Sequence, residues 1–494
     1  MVRELLGHKT LTMTLRYSHP APSHKQLLLM ILAFSILLRV FLALQGGQFI
    51  WPDERRYYIS QMAIESLMSG KFLNFGKNIS GKRPDKPHLW ASPGIILAGL
   101  IPACIEYAIG KHPVIPAFFF GLFSVLNIFL VFRILQHAGS DKSEALLASF
   151  FLSISNSIFY YARSILTYDV SMTFCLLAIL SGIAKPEQKK NAFLCGIYAA
   201  LGFLIYNGYW TFSACALLIP FIYRQITFNN LIKHTMYTGF GFLLPFLITF
   251  CVATVVHVDI IKSFLLFSQT VNSGVMSEGW SLPFEYYWHT EHFLFLFWLI
   301  ALFCFLVTLR KNIYRKKVLF ALFGIFFIYG NLAFFSVVLH KFVVYARTAR
   351  QLTPFFCILS AFTVNNMLKV SASKKYAKII LILALIQGCY NFYNPLTLTF
   401  SKDFKAQAKA LVPQNRQYSI LYVEAGGLYP EIKDLPSLPP YEVILQKRGP
   451  QNFYPWCFEG FGPSVRKKTM TTDLSMRLII YKEPTFPPPP IYLP

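Results

Sequence analysis

Residues Ser92 to Gly110 read SPGIILAGLIPACIEYAIG. The run is apolar and long enough to cross a bilayer, but Pro93, Pro102 and Glu106 interrupt it. Whether it crosses sets the sidedness of everything that follows. Basic clusters stand at His24/Lys25, Arg133/Lys142, Lys185/Lys189/Lys190, Arg224/Lys233, Arg310/Lys311/Arg315/Lys316/Lys317 and Lys369/Lys374/Lys375/Lys378. If 92–110 stays on one side, all of these clusters fall on the cytoplasmic face, where basic residues collect. If it crosses, the later clusters turn outward. The segment therefore reads as a juxtamembrane helix lying in, or dipping into, the outer interface.

The spans around it are apolar runs at about 27–44, 113–132, 144–162, 170–184, 192–206, 209–223, 236–256, 293–309, 318–339, 352–368 and 378–394. The chain is 55% hydrophobic, 17% aromatic and only 14% charged. A soluble domain carries about 25% charged residues. The expected fold is an all-α polytopic membrane protein of about eleven transmembrane helices, with juxtamembrane helices in the first outer loop, 45–112. The N-terminus lies in the cytoplasm and the C-terminus outside. Residues 1–26 form a cytoplasmic segment, 27–394 the transmembrane domain and 395–494 a small exported α/β or β-rich domain. That last assignment rests on the strand-like runs SILYVEA, YEVILQ and MRLIIYK and the turn signals Gly426-Gly427 and Pro439-Pro440. The net charge of +24 resides in the clusters between spans, so no nucleic-acid partner is expected. Cysteines stand singly, almost all in or beside apolar segments, with no metal-ligand spacing, and read as core residues.

On this topology the outer face collects polar residues that the membrane does not require. Asp53 and Glu54, in FIWPDERRYY (49–58), follow the first span. They are either a solvated loop start, neutralised by Arg55 and Arg56, or part of a site. Arg163 and Asp169 flank a short outer turn in SIFYYARSILTYDVSMTF (157–174), as a local ion pair or as functional charges. Lys86 and His88 sit in KRPDKPHLW (82–90), facing either anionic lipid or a specific phosphate. Lys341, Arg347 and Arg350, in HKFVVYARTARQLTPFF (340–356), lie outside against the positive-inside trend, and arginines suit phosphate oxygens. Acids and bases on separate outer loops are the chemistry needed to move a sugar from a lipid phosphate. A carboxylate can take the acceptor's proton or help hold a metal, and cations stabilise the leaving phosphate.

At these residues the chain resembles the C-type (GT-C) membrane glycosyltransferase superfamily, in the branch of aminoarabinose transferases and protein O-mannosyltransferases. The matching pieces are Asp53-Glu54 with Tyr57 or Tyr58, Lys86-Pro87-x-Leu89, Tyr161-x-Arg163 followed by Asp169, and Arg350-x-Leu352-x-Pro354. The resemblance implies Asp53 as catalytic base with Glu54 beside it, and Asp169 as a second acid that organises the acceptor or the base. It implies Lys86, with Arg163 and Arg350, at the donor phosphate, where Arg347 also suits. His88 stands where the family often has a second proline. Residues 2–25 instead resemble the C-terminal tail of a tyrosine recombinase (phage-type integrase), through Leu6-Gly7-His8 and Thr14-Leu15-Arg16-Tyr17. The arginines and DNA-clamping domain of that enzyme have no counterpart here, so the piece reads as a gene-fusion remnant or a misassigned start, and Tyr17 as inert.

The expected activity is an inverting glycosyl transfer at the outer face of the inner (plasma) membrane. The donor is a polyprenyl (undecaprenyl-type) phosphate sugar and the acceptor a lipid, glycan or protein. No cofactor beyond that lipid-linked donor is expected; a divalent metal is optional, and no metal ligands are assigned. Membrane lipid is the remaining partner. The rivals are a transporter or lipid flippase, and an inactive relative serving as an assembly subunit.

Overall fold

A computed structural model describes residues 24–44, 57–79, 93–112, 114–185, 187–223, 228–255, 257–263, 265, 280–307, 316–339 and 346–393. The expected segment 1–26 falls almost entirely outside them, and the expected exported domain, 395–494, wholly so. The described residues form helices and no strand. In chain order these are α1 (His24–Leu44), α2 (Tyr57–Met68), α3 (Phe72–Ile79), α4 (Pro93–Ile109), α5 (Val114–His137), α6 (Lys142–Ile154) and α7 (Asn156–Phe159). Then follow α8 (Tyr168–Ala184), α9 (Lys189–Ile205), α10 (Trp210–Leu218), α11 (Pro220–Tyr223), α12 (Phe228–Val255), α13 (Leu282–Glu291) and α14 (Phe293–Val307). The last are α15 (Lys316–Ala333), α16 (Ala346–Ala349), α17 (Thr353–Lys369) and α18 (Ser371–Tyr393).

A helix stands at each expected span. Four are long and apolar enough to cross a membrane by length and composition: His24–Leu44, Val114–His137, Leu231–Val255 and Lys316–Val338. Others are shorter, such as Tyr168–Ala184 and Phe293–Val307. Several outward faces are apolar. Leu29, Met30, Phe34 and Leu37 are exposed on α1, Phe240, Leu243, Leu247 and Ile248 on α12, and Ile382, Leu385 and Ile386 on α18. In water such stripes would aggregate; against lipid chains they cost nothing.

Tertiary contacts define two ends of the bundle. At one, Lys317 bonds Glu144, Lys369 Nζ lies 2.6 Å from Asp141 Oδ2, and Lys316 Nζ lies 3.4 Å from the Tyr223 carbonyl. His24 Nε2 meets Ser143 Oγ there at 3.4 Å, and Asn365 Nδ2 donates to Glu144 Oε1 at 3.1 Å. This basic end gathers residues from α1, α6, α11, α15 and α17. Glu144 closes the first turn of α6 by accepting from the Asp141 amide at 3.1 Å, one half of a capping box.

Among the described longer helices, α5 and α17 end, and α1, α6 and α15 start, at the basic end, whereas α4 does not reach it. At the start of α4, a Cβ on Gly94 would lie 2.3 Å from Ile205 Cα, at the end of α9 away from the lysines. Its last turn leads into the start of α5, where the His112 amide donates to Glu106 Oε1 at 3.2 Å. Both termini of α4 therefore lie at the same end. Inside the bundle, α9 and α12 approach through glycines. A Cβ on Gly196 would sit 2.1 Å from the Thr238 carbonyl oxygen, and one on Gly241 2.0 Å from that of Phe193. Small residues allow this closeness, the main source of helix association where no hydrophobic drive exists.

Candidate active site

Three breaks in the helices meet at the end away from the lysines. The chain is extended at Ser155 between α6 and α7, then passes through a 3-10 turn, Tyr160–Arg163, before α8. A second 3-10 turn, Asn207–Tyr209, joins α9 to α10, and a third, Arg350–Leu352, joins α16 to α17. The run Ser153-Ile154-Ser155-Asn156-Ser157 explains the first break, because Ser and Asn side chains compete with the helix for backbone groups.

Side chains tie the breaks together. Glu291, at the end of α13, is buried and accepts from Ser155 Oγ (2.6 Å) and from the amides of Ser157 (2.7 Å) and Asn156 (3.1 Å). Burial raises the Glu291 carboxyl above the usual range, outweighing the opposite effect of these donors. From Ser157 Oγ the hydrogen bonds continue to Thr353 Oγ1 (3.1 Å), and Tyr287 Oη lies 3.0 Å from the same Thr353 oxygen. Gln351 joins the other two breaks. Its Oε1 accepts from Thr211 Oγ1 (2.7 Å) and the Phe212 amide (2.9 Å), while Nε2 donates to the carbonyls of Gly208 and Thr348.

This frame fixes Arg350, which is fully buried. Its Nη2 donates to Asp169 Oδ1 at 2.8 Å and its Nε to the Ser157 carbonyl at 2.5 Å. The guanidinium carbon stands 4.6 Å from the centre of the Tyr161 ring and 5.9 Å from that of Tyr168, a cation over aromatic faces. Tyr206 and Tyr209 extend the aromatic group, with ring centres 4.7 Å and 6.5 Å from Tyr168. Asp169 lies in the first turn of α8, where Asn127 Nδ2 and Thr173 Oγ1 both donate to its carbonyl.

The structure thus brings together two of the expected site residues, Asp169 and Arg350. Arg163 and Arg347 lie on described backbone at this end, in the Tyr160–Arg163 turn and in α16, without a described side chain. Asp53, Glu54 and Lys86 lie outside the described residues. The flanks of their loops are nonetheless placed. Arg39, near the end of α1, donates from Nε to Ser124 Oγ of α5 at 2.8 Å. Tyr57 Oη and Gln61 Nε2 of α2 donate to Glu106 Oε2 of α4 at 2.7 and 2.6 Å. Gly94, just past the loop that holds Lys86, meets Ile205. Both loops therefore start from or return to this end. Sequence reasoning missed Arg39, Glu291 and Gln351; the lone cation in the run LLRVFLAL was the available signal for the first. No group of three or more His, Cys, Asp or Glu among the described residues is arranged to hold a metal ion.

No family model and no curated protein matches the chain. Among solved structures it is similar to the oligosaccharyltransferase AglB from Archaeoglobus fulgidus, determined in complex with an inhibitory peptide and a dolichol-phosphate. The identity is 13%, the TM-score 0.47, and the match covers 79% of this chain and 58% of that one, under two thirds of its length.

Proposed function

We propose that the protein is a membrane glycosyltransferase. It transfers a sugar from a polyprenyl phosphate donor to a lipid, glycan or protein acceptor, at the end of the bundle that holds Asp169 and Arg350. The observation that carries this reading is the buried Arg350–Asp169 pair, walled by tyrosines, at the end where the loops of Asp53 and Lys86 begin and return. Buried ion pairs cost desolvation and are weak evidence for stability alone, so one at the bundle end where the flanking helices α1 and α4 terminate supports a functional role.

In this reading the acceptor hydroxyl attacks the anomeric carbon while Asp53 takes its proton, with Glu54 beside it. The bond from that carbon to the phosphate oxygen breaks, and the electron pair leaves on the polyprenyl phosphate. Lys86, Arg163, Arg347 and Arg350 stabilise the charge that develops there. Asp169 spends Oδ1 on Arg350 and so holds it in register, which makes it a positioning residue. The tyrosine faces suit a sugar ring. Residues 27–394 form the transferring unit, 1–26 the cytoplasmic segment and 395–494 an exported domain, in the inner membrane. Asp53→Asn should lower transfer by about a hundredfold or more while leaving expression and the unfolding midpoint unchanged. Consumption of the polyprenyl-phosphate sugar in membranes that contain the native acceptor reads this out, and undiminished consumption sinks the base assignment.

A second reading, a lipid transporter, draws on Arg39 and Asp169, charges set inside apolar helices. Liposomes containing the pure protein separate the two. A transporter moves the lipid-linked sugar across unchanged, whereas a transferase does so no faster than empty liposomes.

A further inference from the structure

Arg39 is fully buried five residues before the end of α1. Its Nε donates to Ser124 Oγ at 2.8 Å and its Nη1 to the Ser35 carbonyl at 3.3 Å. Ser124 in turn donates to the Gly121 carbonyl at 2.8 Å, so its lone pairs face the guanidinium. The Nη2 of Arg39 is buried with no acceptor among the described residues. Ser35 Oγ, one turn earlier on the same helix face, is also buried without a partner among the described residues, as is Nη1 of Arg350.

A guanidinium does not lose its proton in a protein, and a buried charge left unpaired is expensive. The nearby acid is Asp169, whose charge acts on Arg39 but whose Oδ1 is already taken by Arg350. Asp169 pairs directly with Arg350 alone, which leaves the charge of Arg39 and three donor groups unanswered among the described residues. A phosphate supplies what is missing, a compact anion with several acceptor oxygens. Gly121 makes room for the arrangement. A Cβ there would lie 2.7 Å from the Ala162 carbonyl oxygen and 3.6 Å from Arg39 Cγ, so α1 and the Tyr160–Arg163 turn share its groove.

We infer that Arg39 is a further donor-binding residue, whose Nη2, with Ser35 Oγ and Arg350 Nη1, takes oxygens of the polyprenyl phosphate group. This rests on the lipid-phosphate donor proposed above. The test is the rise in unfolding midpoint of the full chain in detergent, titrated with undecaprenyl phosphate, undecaprenol or inorganic phosphate. The wild type is stabilised saturably by undecaprenyl phosphate and much less by the other two. Arg39→Gln weakens that binding about tenfold, as loss of a charge-assisted bond should, and Arg39→Lys restores part of it. Ser35→Ala, a milder change, weakens it about threefold and serves if Arg39→Gln does not fold. Unchanged affinity in these variants overturns the role of Arg39 and leaves the donor standing. No response of the wild type to undecaprenyl phosphate overturns both, and equal stabilisation by inorganic phosphate overturns the lipid as its source.

Discussion

Asp169 carries the charge balance of the site. It answers Arg350 directly and Arg39 at longer range, so removing its charge leaves two buried guanidinium groups without an anion among the described residues. Breaking a buried pair from one side costs about 3–5 kcal/mol. Asp169→Asn should therefore lower the unfolding midpoint markedly, and the double variant Asp169→Asn/Arg350→Met should recover part of the loss. Additive losses would mean that the pair is not coupled. Both residues were legible in the sequence as charges at the edge of apolar spans. Their partnership was not. A local pair with Arg163, six residues from Asp169, is one of two readings the sequence allows, and nothing in it points to Arg350, 181 residues away, which holds Asp169 Oδ1. Such a pairing depends on which helix ends the bundle brings together, and no local pattern encodes that. Arg39 was overlooked for a different reason: one cation among leucines and valines does not change the hydropathy of a span.

At the scale of elements, the close approach of α9 and α12 makes a sharp contrast available within two residues. Gly241 faces the Phe193 backbone, whereas a Cβ on Gly239 would meet nothing within 4 Å. Gly241→Ala should push the helices apart and cost about 1–3 kcal/mol, as overpacking does. Gly239→Ala should be neutral, or stabilising by up to ~1 kcal/mol through helix propensity. Thermal unfolding of the two variants decides this, and equal effects would contradict the described packing. Helix positions were readable from apolar run length. The break at Asn207–Tyr209 falls between the expected spans 192–206 and 209–223, but the one at Ser155 was not readable, because apolar residues on either side read as one continuous span, 144–162. Those breaks are what admit Glu291 and Gln351 to the backbone, and with them the fixed position of Arg350.

The whole molecule has a lysine-rich end and an Arg–Asp–tyrosine end, joined by helices with lipid-compatible faces. The positive-inside rule assigns the lysines to the cytoplasm. A membrane-impermeant thiol reagent should then label Asn207→Cys from outside intact cells and Lys142→Cys only after permeabilisation; the reverse pattern would invert the orientation. The helix 93–109 was the hardest segment to read from sequence. Both its ends lie at the same end of the bundle because Gly94 seats against α9 and Glu106 is satisfied by α2 and by the turn into α5. The measurement that bears most directly on the account is mass spectrometry of the lipid that copurifies with the wild type and with Asp53→Asn. The account predicts a polyprenyl phosphate, with the sugar-bearing donor enriched on the Asp53→Asn protein that binds it but cannot transfer. Ordinary phospholipid alone on both proteins, from an active preparation, would contradict it.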